Sequence, residues 1–383
     1  MKIKTLTAIA IMAIVSSILL TSCNSEDVDS SSYTDNTELW PAYNNGKYGY
    51  INRKGAFVIP AQYDGVSNFS CGYARVSING RKMFIDKNGK IQNTPSFDNV
   101  YGFWNNYAII EINDKYGLMN KNFGYVLQPI YYDMGDAGRN GLVPVNLSSG
   151  DKWGYLNTKG ETKISAIYDY ASMFVGDYAR VRAGSKYGII NSNGEYIIQP
   201  IYDFVYPLGN NRFAFYEYNR AVCGLLNEKG KIIVPALYDW INDNVCYFKW
   251  SLLPVYNNDE KAGYIDKDGN VIIPFQFDGV APFNEGYACV ELNDIDMIID
   301  EKGSIVLQLA KEEYFATGYI HNGLTLTMKN NTYYYKDIKG NVVYTWTESS
   351  NAAAPVKKLS NHKSLKKEEQ HPHNPLIYYL GEK

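Results

Sequence analysis

The chain predicts an all-β protein built from tandem repeats, on three observations. A pattern of Gly with an aromatic eight positions on, followed by Asp, returns seven times; Asn/Asp-x-x-Gly turns return in step with it; and Tyr accounts for 35 residues against 15 Phe and 6 Trp. A fixed period of a few tens of residues is the mark of a repeat architecture. Tyr suits a half-buried pleated surface, with a ring for the sheet and a hydroxyl that needs a partner. A hydrophobic content of 45% with 20% charge belongs to a folding chain, and a net charge of -3 leaves no basic footprint for nucleic acid.

The repeat is clearest in KYGYINRKGAFVIPAQYDG, residues 47–65. With a glycine as ruler, the aromatic-Asp pairs are Tyr63-Asp64, Phe97-Asp98, Tyr132-Asp133, Tyr168-Asp169, Tyr202-Asp203, Tyr238-Asp239 and Phe277-Asp278, counted from Gly55, Gly89, Gly124, Gly160, Gly194, Gly230 and Gly269. An earlier glycine, in a YG, WG or equivalent pair, stands at Gly49, Gly117, Gly154, Gly188, Gly224 and Gly263, with Met83, Met297 and Tyr334 in the matching places of weaker copies. Spacings along that series run from 34 to 39 residues, which gives eight copies and a truncated ninth.

Each copy translates into short strands. In GYARVSI, residues 72–78, apolar Ala74, Val76 and Ile78 alternate with Tyr73, Arg75 and Ser77, and YARVR at 178–182 and YACVEL at 287–292 keep the phase. KYGYIN is a second strand, closed by turns such as NRKG and DKDG, where an Asx residue starts the reversal and Gly takes positive φ. FVIP, IIVP and VIIP form a third strand that proline ends, and YDGVSNF supplies a fourth, irregular segment. The motif glycine is explained sterically, as a place where a neighbouring strand or ring approaches the backbone. The Asp of the aromatic-Asp pair is expected to cap local N–H groups or accept from a neighbour, as scaffold.

These residues resemble the WG-repeat (WG-containing repeat) proteins of bacteria. The matching text is 47–80, KWGYLNTKG at 152–160, KYGIINSNGEYIIQPIYD at 186–203, and AGYIDKDGNVIIPFQFDGVAPFNEGYACV at 262–290, although Trp itself survives only in Trp153-Gly154. The copies near Arg81 and Ile295 lack the motif glycine, and the last full copy has Lys311-Glu312 where the aromatic-Asp pair should be. The resemblance implies a repeat scaffold and no common activity.

Short strands of this kind bury an apolar face only by stacking or ringing. The array begins mid-repeat, with ELWPAYNNG at 38–46 standing where GYARVSING stands later, as a ring closed by strands from both ends would. A β-propeller-like ring is expected, with an open β-solenoid or curved β-meander as the alternative.

The ends carry other signals. Lys2 and Lys4, the apolar run 3–20 and Leu20-Thr21-Ser22-Cys23 read as a signal peptide over 1–22 whose last residues resemble a bacterial lipobox, which implies lipidation at Cys23. Residues 23–37 read as a flexible tether, with Glu26 and Asp27 resembling a surface-export signal; the repeat domain runs 38–346. Residues 347–383 form a polar tail holding His362, His371 and His373, and read as solvated and disordered, with PLIYYL, 375–380, apolar enough for an extra strand. Cys71, Cys223, Cys246 and Cys289 show no metal-ligand spacing and read as buried free thiols.

Catalytic motifs are missing: there is no HExxH, GxSxG, P-loop or GxGxxG, and within the array His321 is the single His. No catalytic, cofactor or metal residues are assigned. The expectation is a non-catalytic binding or scaffold lipoprotein, attached to the membrane by its lipid alone in the cell envelope or at the cell surface, with a glycan or protein as partner. Contacts are expected where the period lengthens, at 134–144 and 246–260. The alternative is an envelope polysaccharide hydrolase using paired carboxylates.

Overall fold

The computed structural model describes residues 38–147, 152–217, 222–238, 240–241, 250–347 and 379–380. The expected signal peptide, lipidation site and tether, and nearly all of the tail with its three His, lie outside the described residues.

The described chain folds into nine antiparallel sheets that succeed one another in sequence order. They are the blades of a β-propeller: blade 1 (40–63), blade 2 (65–86), blade 3 (99–131), blade 4 (133–168), blade 5 (170–202), blade 6 (204–238), blade 7 (240–277), blade 8 (279–308) and blade 9 (314–347). Blades 3 to 9 have four strands each. The first strand of most blades is only two or three residues long, as in Asp133–Met134, whereas the fourth is long and turns Ile130, Ile167, Ile201 and Leu237 to solvent at 55–64% exposure. Short first strands therefore converge on the central channel, and fourth strands form the rim.

Local chemistry accounts for these elements. Asn52 Oδ1 accepts from the amides of Lys54 and Ala56 at 2.9 and 3.1 Å, and Gly55 N–H donates to Asn52 O at 2.9 Å with φ at +79°. The same Asx turn recurs at Asp86, Asn157, Asn191, Asn227, Asp266, Asp300 and Asp337. Asp266 of DKDG thus spends its carboxylate on backbone amides, as its Asn counterparts spend their amide oxygens.

Nine apolar clusters hold the blades together, one at each junction. The ninth decides between ring and solenoid. Trp40, Ala42 and Ile51 of blade 1 are buried with Leu324, Leu326, Tyr333 and Trp346 of blade 9. Trp40 Nε1 donates to His321 O at 3.1 Å, Arg53 Nη1 to Asn322 O at 2.7 Å, and Tyr344 Oη to Tyr43 O at 3.2 Å across the same seam. The ring is closed, and the open solenoid or meander is excluded.

The manner of closure differs from the expected sheet shared by both ends. Blade 1 has three strands and blade 9 is complete from its own segment, so the seam is made by faces rather than by a common ladder. Tyr379–Leu380 instead pairs antiparallel with Ser67 and Val66, extending blade 2 beyond its first strand. Blade 2 ends early on its other side, where Ile85 and Ile91 form a single bridge in place of a fourth strand.

Candidate functional site

The repeated residues form a structural frame, and its geometry separates frame from site. At each motif glycine the fourth strand carries extra residues: Tyr48 pairs with Tyr63 and Tyr50 with Ile59, so four steps of one strand run against two of the other. The surplus bulges onto the glycine. A Cβ on Gly49, Gly117, Gly154, Gly188, Gly224 or Gly263 would lie 2.5–2.8 Å from a carbonyl oxygen of that strand. Where the glycine is missing the crowding is missing too: Met297 pairs directly with Gln308, and Tyr334 with Thr345.

The aromatic-Asp pairs lie where the chain leaves one blade for the next. Tyr63, Tyr168 and Phe277 are buried, Tyr202 and Tyr238 partly so. Asp64 accepts from Lys47 Nζ and from the amide of Asn79, Asp169 from Lys152 Nζ and the amide of Gly184, and Asp278 from Lys261 Nζ and the amide of Asn293. Asp203 takes Lys186, and Asp98 takes the amide of Asn113. Lysine first and the amide second hold the carboxyls of Asp64 and Asp169 below the usual aspartate range. The Asp is a clasp between a blade and the hairpin of its successor; Asp239 lies outside the described residues.

One pair is displaced. In the third copy Phe123, not Gly124, closes the turn on Asn120 O and takes φ +63°. Everything after it moves up by one, so Tyr131 pairs with Tyr116 as Tyr63 pairs with Tyr48, and Tyr132 stands where the other copies have Asp. Lys115 accordingly lies over the Tyr132 ring, 5.2 Å from its centroid, instead of on a carboxylate. A ruler laid from Gly124 to Tyr132-Asp133 runs one residue late, because Phe123 accepts the left-handed turn position while its ring packs against Tyr73 and Phe103.

A longer period, legible in the sequence but not read there, groups the blades in threes. Blades 1, 4 and 7 carry buried Tyr50, Tyr155 and Tyr264, which donate at 2.8 Å to the carbonyls of Ser67, Ser172 and Ala281 in the following blade. Each ring also packs on a Phe: Phe69, Phe174 or Phe283. The following blades, 2, 5 and 8, carry the YARV-type strand, with Arg75, Arg180 and Cys289 in equivalent places.

Chemistry outside the frame gathers at the junction of blades 5 and 6. The Arg180 guanidinium lies 5.1 Å from the Tyr170 ring, 5.0 Å from Tyr187, 6.0 Å from Phe204 and 4.2 Å from Tyr206. Its Nη2 donates to Tyr170 Oη at 3.3 Å, while Nε and Nη1 are enclosed with no acceptor among the described residues. Phe204 and Tyr206, two apart on one strand, hold their rings 6° from parallel with centroids 5.9 Å apart, and Tyr187 stacks on Phe204 at 4.7 Å. Tyr170, Phe204, Tyr206 and Tyr216 each keep part of their surface in solvent. The sequence signal was available: Phe204 and Tyr206 stand where the corresponding strand after blade 1 has Gly65 and Ser67.

The regions of lengthened period look different. In 134–144, burial pushes the Asp136 carboxyl up to about 7. Of 246–260 only residues 250–260 are described, and Trp250 is buried, its Nε1 donating to Leu208 O and its carbonyl accepting from Asn210 Nδ2. A polar hollow of about 560 Å³ beside it is lined by Asn210, Asn211, Ser251 and Asp266 to Asp268, with Asp268 already held by Arg212 and Lys267. His321 is enclosed at the closing seam, where burial lowers its pKa. Among the described residues no group of His, Cys, Asp and Glu has metal-site geometry. Cys223 and Cys289 are buried free thiols, but Cys71, expected to be free, is disulfide-bonded. Cys71 occupies a half-buried turn at φ +54°, whereas Cys223 and Cys289 are buried in the clusters between blades.

Comparison with known proteins agrees with this frame. The WG containing repeat family matches residues 48–81, 83–116, 116–149, 153–187, 187–219, 224–245 and 263–294. No curated protein matches the chain. Among solved structures, a eukaryotic initiation factor is similar over 75% of this chain and 85% of its own, at 11% identity and a TM-score of 0.50. BamB from Moraxella catarrhalis is similar over 82% and 94%, at 12% identity and a TM-score of 0.37. At 11% identity the first likeness concerns the fold alone. With more than half of its length matched in seven consecutive repeats, the chain belongs to the WG containing repeat family.

Proposed function

We propose that this propeller is a non-catalytic binding or scaffold protein that takes a glycan or protein partner in the cell envelope. The observation that carries the reading is the row of part-exposed aromatic rings on the channel-side strand of blade 6 and its neighbours in blade 5, on a frame whose repeated carboxylates are already used as clasps. Rigid repeats that vary at one strand position are well suited to presenting such a surface. A lipid on Cys23 would tether the ring to a membrane, and Glu26 and Asp27 would direct it outward.

The test is retention of purified envelope polysaccharide and of purified envelope proteins on the immobilised chain, with reducing ends counted throughout. Saturable retention without new reducing ends is expected; release of reducing ends would replace this reading with the hydrolase. Protease shaving of intact cells, against cells with a permeabilised outer membrane, reports location. Cleavage before permeabilisation is expected for a surface protein, and protection until then would place the ring inside the envelope.

A further inference from the structure

Arg180 poses a larger problem than its equivalent Arg75, which encloses Nε alone without an acceptor where Arg180 encloses both Nε and Nη1. Arg75, in the same place of blade 2, gives Nη1 to Val100 O in the next blade. At the blade 5 junction Phe204 stands where the blade 2 junction has Asn99, and two enclosed guanidinium nitrogens find no acceptor among the described residues. Cation–π contact compensates part of the charge but leaves those N–H groups unsatisfied. Native structures seldom leave buried donors in that state without a use for them.

The surroundings narrow what would satisfy them. A guanidinium pairs best with a planar two-oxygen anion, a carboxylate above all. Beside it Phe204 and Tyr206 present two near-parallel ring faces, continued by Tyr187 beneath and bordered edge-on by Tyr216, whose centroid is 6.1 Å from that of Tyr206. A flat aromatic strip suits the C–H face of a pyranose ring, and phenol hydroxyls at its border suit sugar hydroxyls. Tyr206 is the closest ring to the guanidinium and is partly in solvent, which makes it the side chain whose turning would open a path to the guanidinium.

We infer that the junction of blades 5 and 6 binds an acidic saccharide, with Arg180 pairing its carboxylate and Phe204 and Tyr206 stacking on its ring. This rests on the binding reading above and names the ligand class for it.

The experiment is calorimetric titration of the full chain with oligogalacturonate, oligoglucuronate and a sialylated oligosaccharide, each beside its carboxyl-reduced neutral counterpart. At least one acidic form should bind tenfold or more tightly than its reduced partner. Arg180→Gln should abolish that preference, Tyr206→Ala should weaken both forms, and Arg75→Gln should leave the preference intact. Equal affinity for acidic and reduced forms, no binding by the folded wild type, or an unchanged preference in Arg180→Gln overturns the inference. So does an acidic peptide that displaces the saccharide at equal concentration. If Arg180→Gln does not fold, the acidic-to-reduced ratio of the wild type and the Tyr206→Ala titration decide. Retention of envelope polysaccharide without a uronate preference would sink this inference alone; loss of retention altogether would sink the binding reading as well.

Discussion

Blades 2 and 5 begin from almost the same strand, Tyr73-Ala74-Arg75-Val76 and Tyr178-Ala179-Arg180-Val181, and end with different chemistry. In both, the arginine amide donates to the hydroxyl oxygen of a serine eight residues earlier, Ser67 at 2.9 Å or Ser172 at 3.0 Å. Beyond that the two diverge. Blade 2 has methionine in place of the motif glycine, lacks a ladder-forming fourth strand, gains Tyr379–Leu380 at its other edge, and settles Arg75 on Val100 O. Blade 5 has Gly188, a complete outer strand and an arginine left among four rings. The frame therefore tolerates wide change at its rim, while the residues that distinguish one junction from another sit on the first strand of the next blade.

The strongest way to break the comparison is at the glycine. Gly188→Ala would put a Cβ 2.6 Å from Ile198 O and 2.9 Å from Pro200 N, both backbone atoms, so the outer strand must shift. Overpacking of that kind costs about 3 kcal/mol, and thermal melting should fall by several degrees. Met83→Gly in blade 2 has no bulged strand to accommodate, and should cost about 1 kcal/mol of backbone entropy and about 1–2 kcal/mol more for the half-buried side chain lost from the blade 1–2 cluster. A Gly188→Ala loss below about 0.5 kcal/mol would show that the outer strand does not press on the glycine.

A middle-sized effect concerns the tie between blades. Tyr155→Phe removes the hydroxyl that donates to Ser172 O and leaves that carbonyl in an apolar setting, a loss of about 1–2 kcal/mol. The same change at Tyr264 should match it, because the partner distance and the packed Phe are alike. Denaturant unfolding of the two variants checks this; a loss below a few tenths of a kcal/mol in both would assign the tyrosines to packing alone.

How much of this could be read beforehand follows the range of the forces involved. Asx turns and their glycines are legible because a positive φ and a two-residue hydrogen bond are local matters, and Asn52 to Gly55 announces itself wherever it occurs. The motif glycine is legible as a close approach, although which strand approaches is decided by the bulge opposite Gly49. The phase of the third copy is not legible, since Phe123 takes a position that sequence reasoning reserves for glycine and is held there by Tyr73 and Phe103 from the previous blade. Closure is legible in the mid-repeat start at 38–46, but its manner is not, since Trp40 and Trp346 meet face to face from the two ends of the array and no local pattern reports that contact. Arg180 reads like Arg75 because the difference lies well downstream, where Phe204 stands in place of Asn99, while Tyr206 has its counterpart in Tyr101.

Acid should erode the clasps. The carboxyls of Asp64 and Asp169 are held below the ordinary aspartate value, near 3.9, by Lys47 and Lys152 first and by the Asn79 and Gly184 amides second. Their folded-state pKa is depressed, so the stability they contribute is complete above the unfolded value and is lost as pH falls through the folded one. Both ion pairs are substantially exposed, which limits each to a few tenths of a kcal/mol, about a degree or less of melting temperature. Stability should therefore be flat on this account above about pH 5 and fall below about pH 4, and Asp169→Asn should flatten part of that fall. Carbon-detected NMR titration of the two carboxyls reads the shift directly; values at or above 3.9 would refute the clasp.

The smallest effect tests the displaced copy. Tyr132 occupies the position that Asp64 and Asp169 hold elsewhere, its N–H donating to Asn146 O as the amide of Asp64 donates to Ser77 O. Lys115 already reaches over it, at the distance of a cation–π contact. Tyr132→Asp would give Lys115 the carboxylate that Lys47 and Lys152 possess, exchanging one exposed attraction worth about 0.5–1 kcal/mol for another of similar size. The expected change in stability at neutral pH is within about 0.5 kcal/mol of zero, yet the variant should acquire an acid sensitivity between pH 5 and 3 that the parent lacks at this junction. A structural reading in which Asp133 is the true clasp predicts the reverse: Asp133→Asn would carry the acid sensitivity and Tyr132→Asp would place two carboxylates side by side, lowering stability at neutral pH. The sign of the difference between the two variants' pH profiles decides which residue the third blade uses, and with it whether the repeat is counted by its glycines or by its hydrogen bonds.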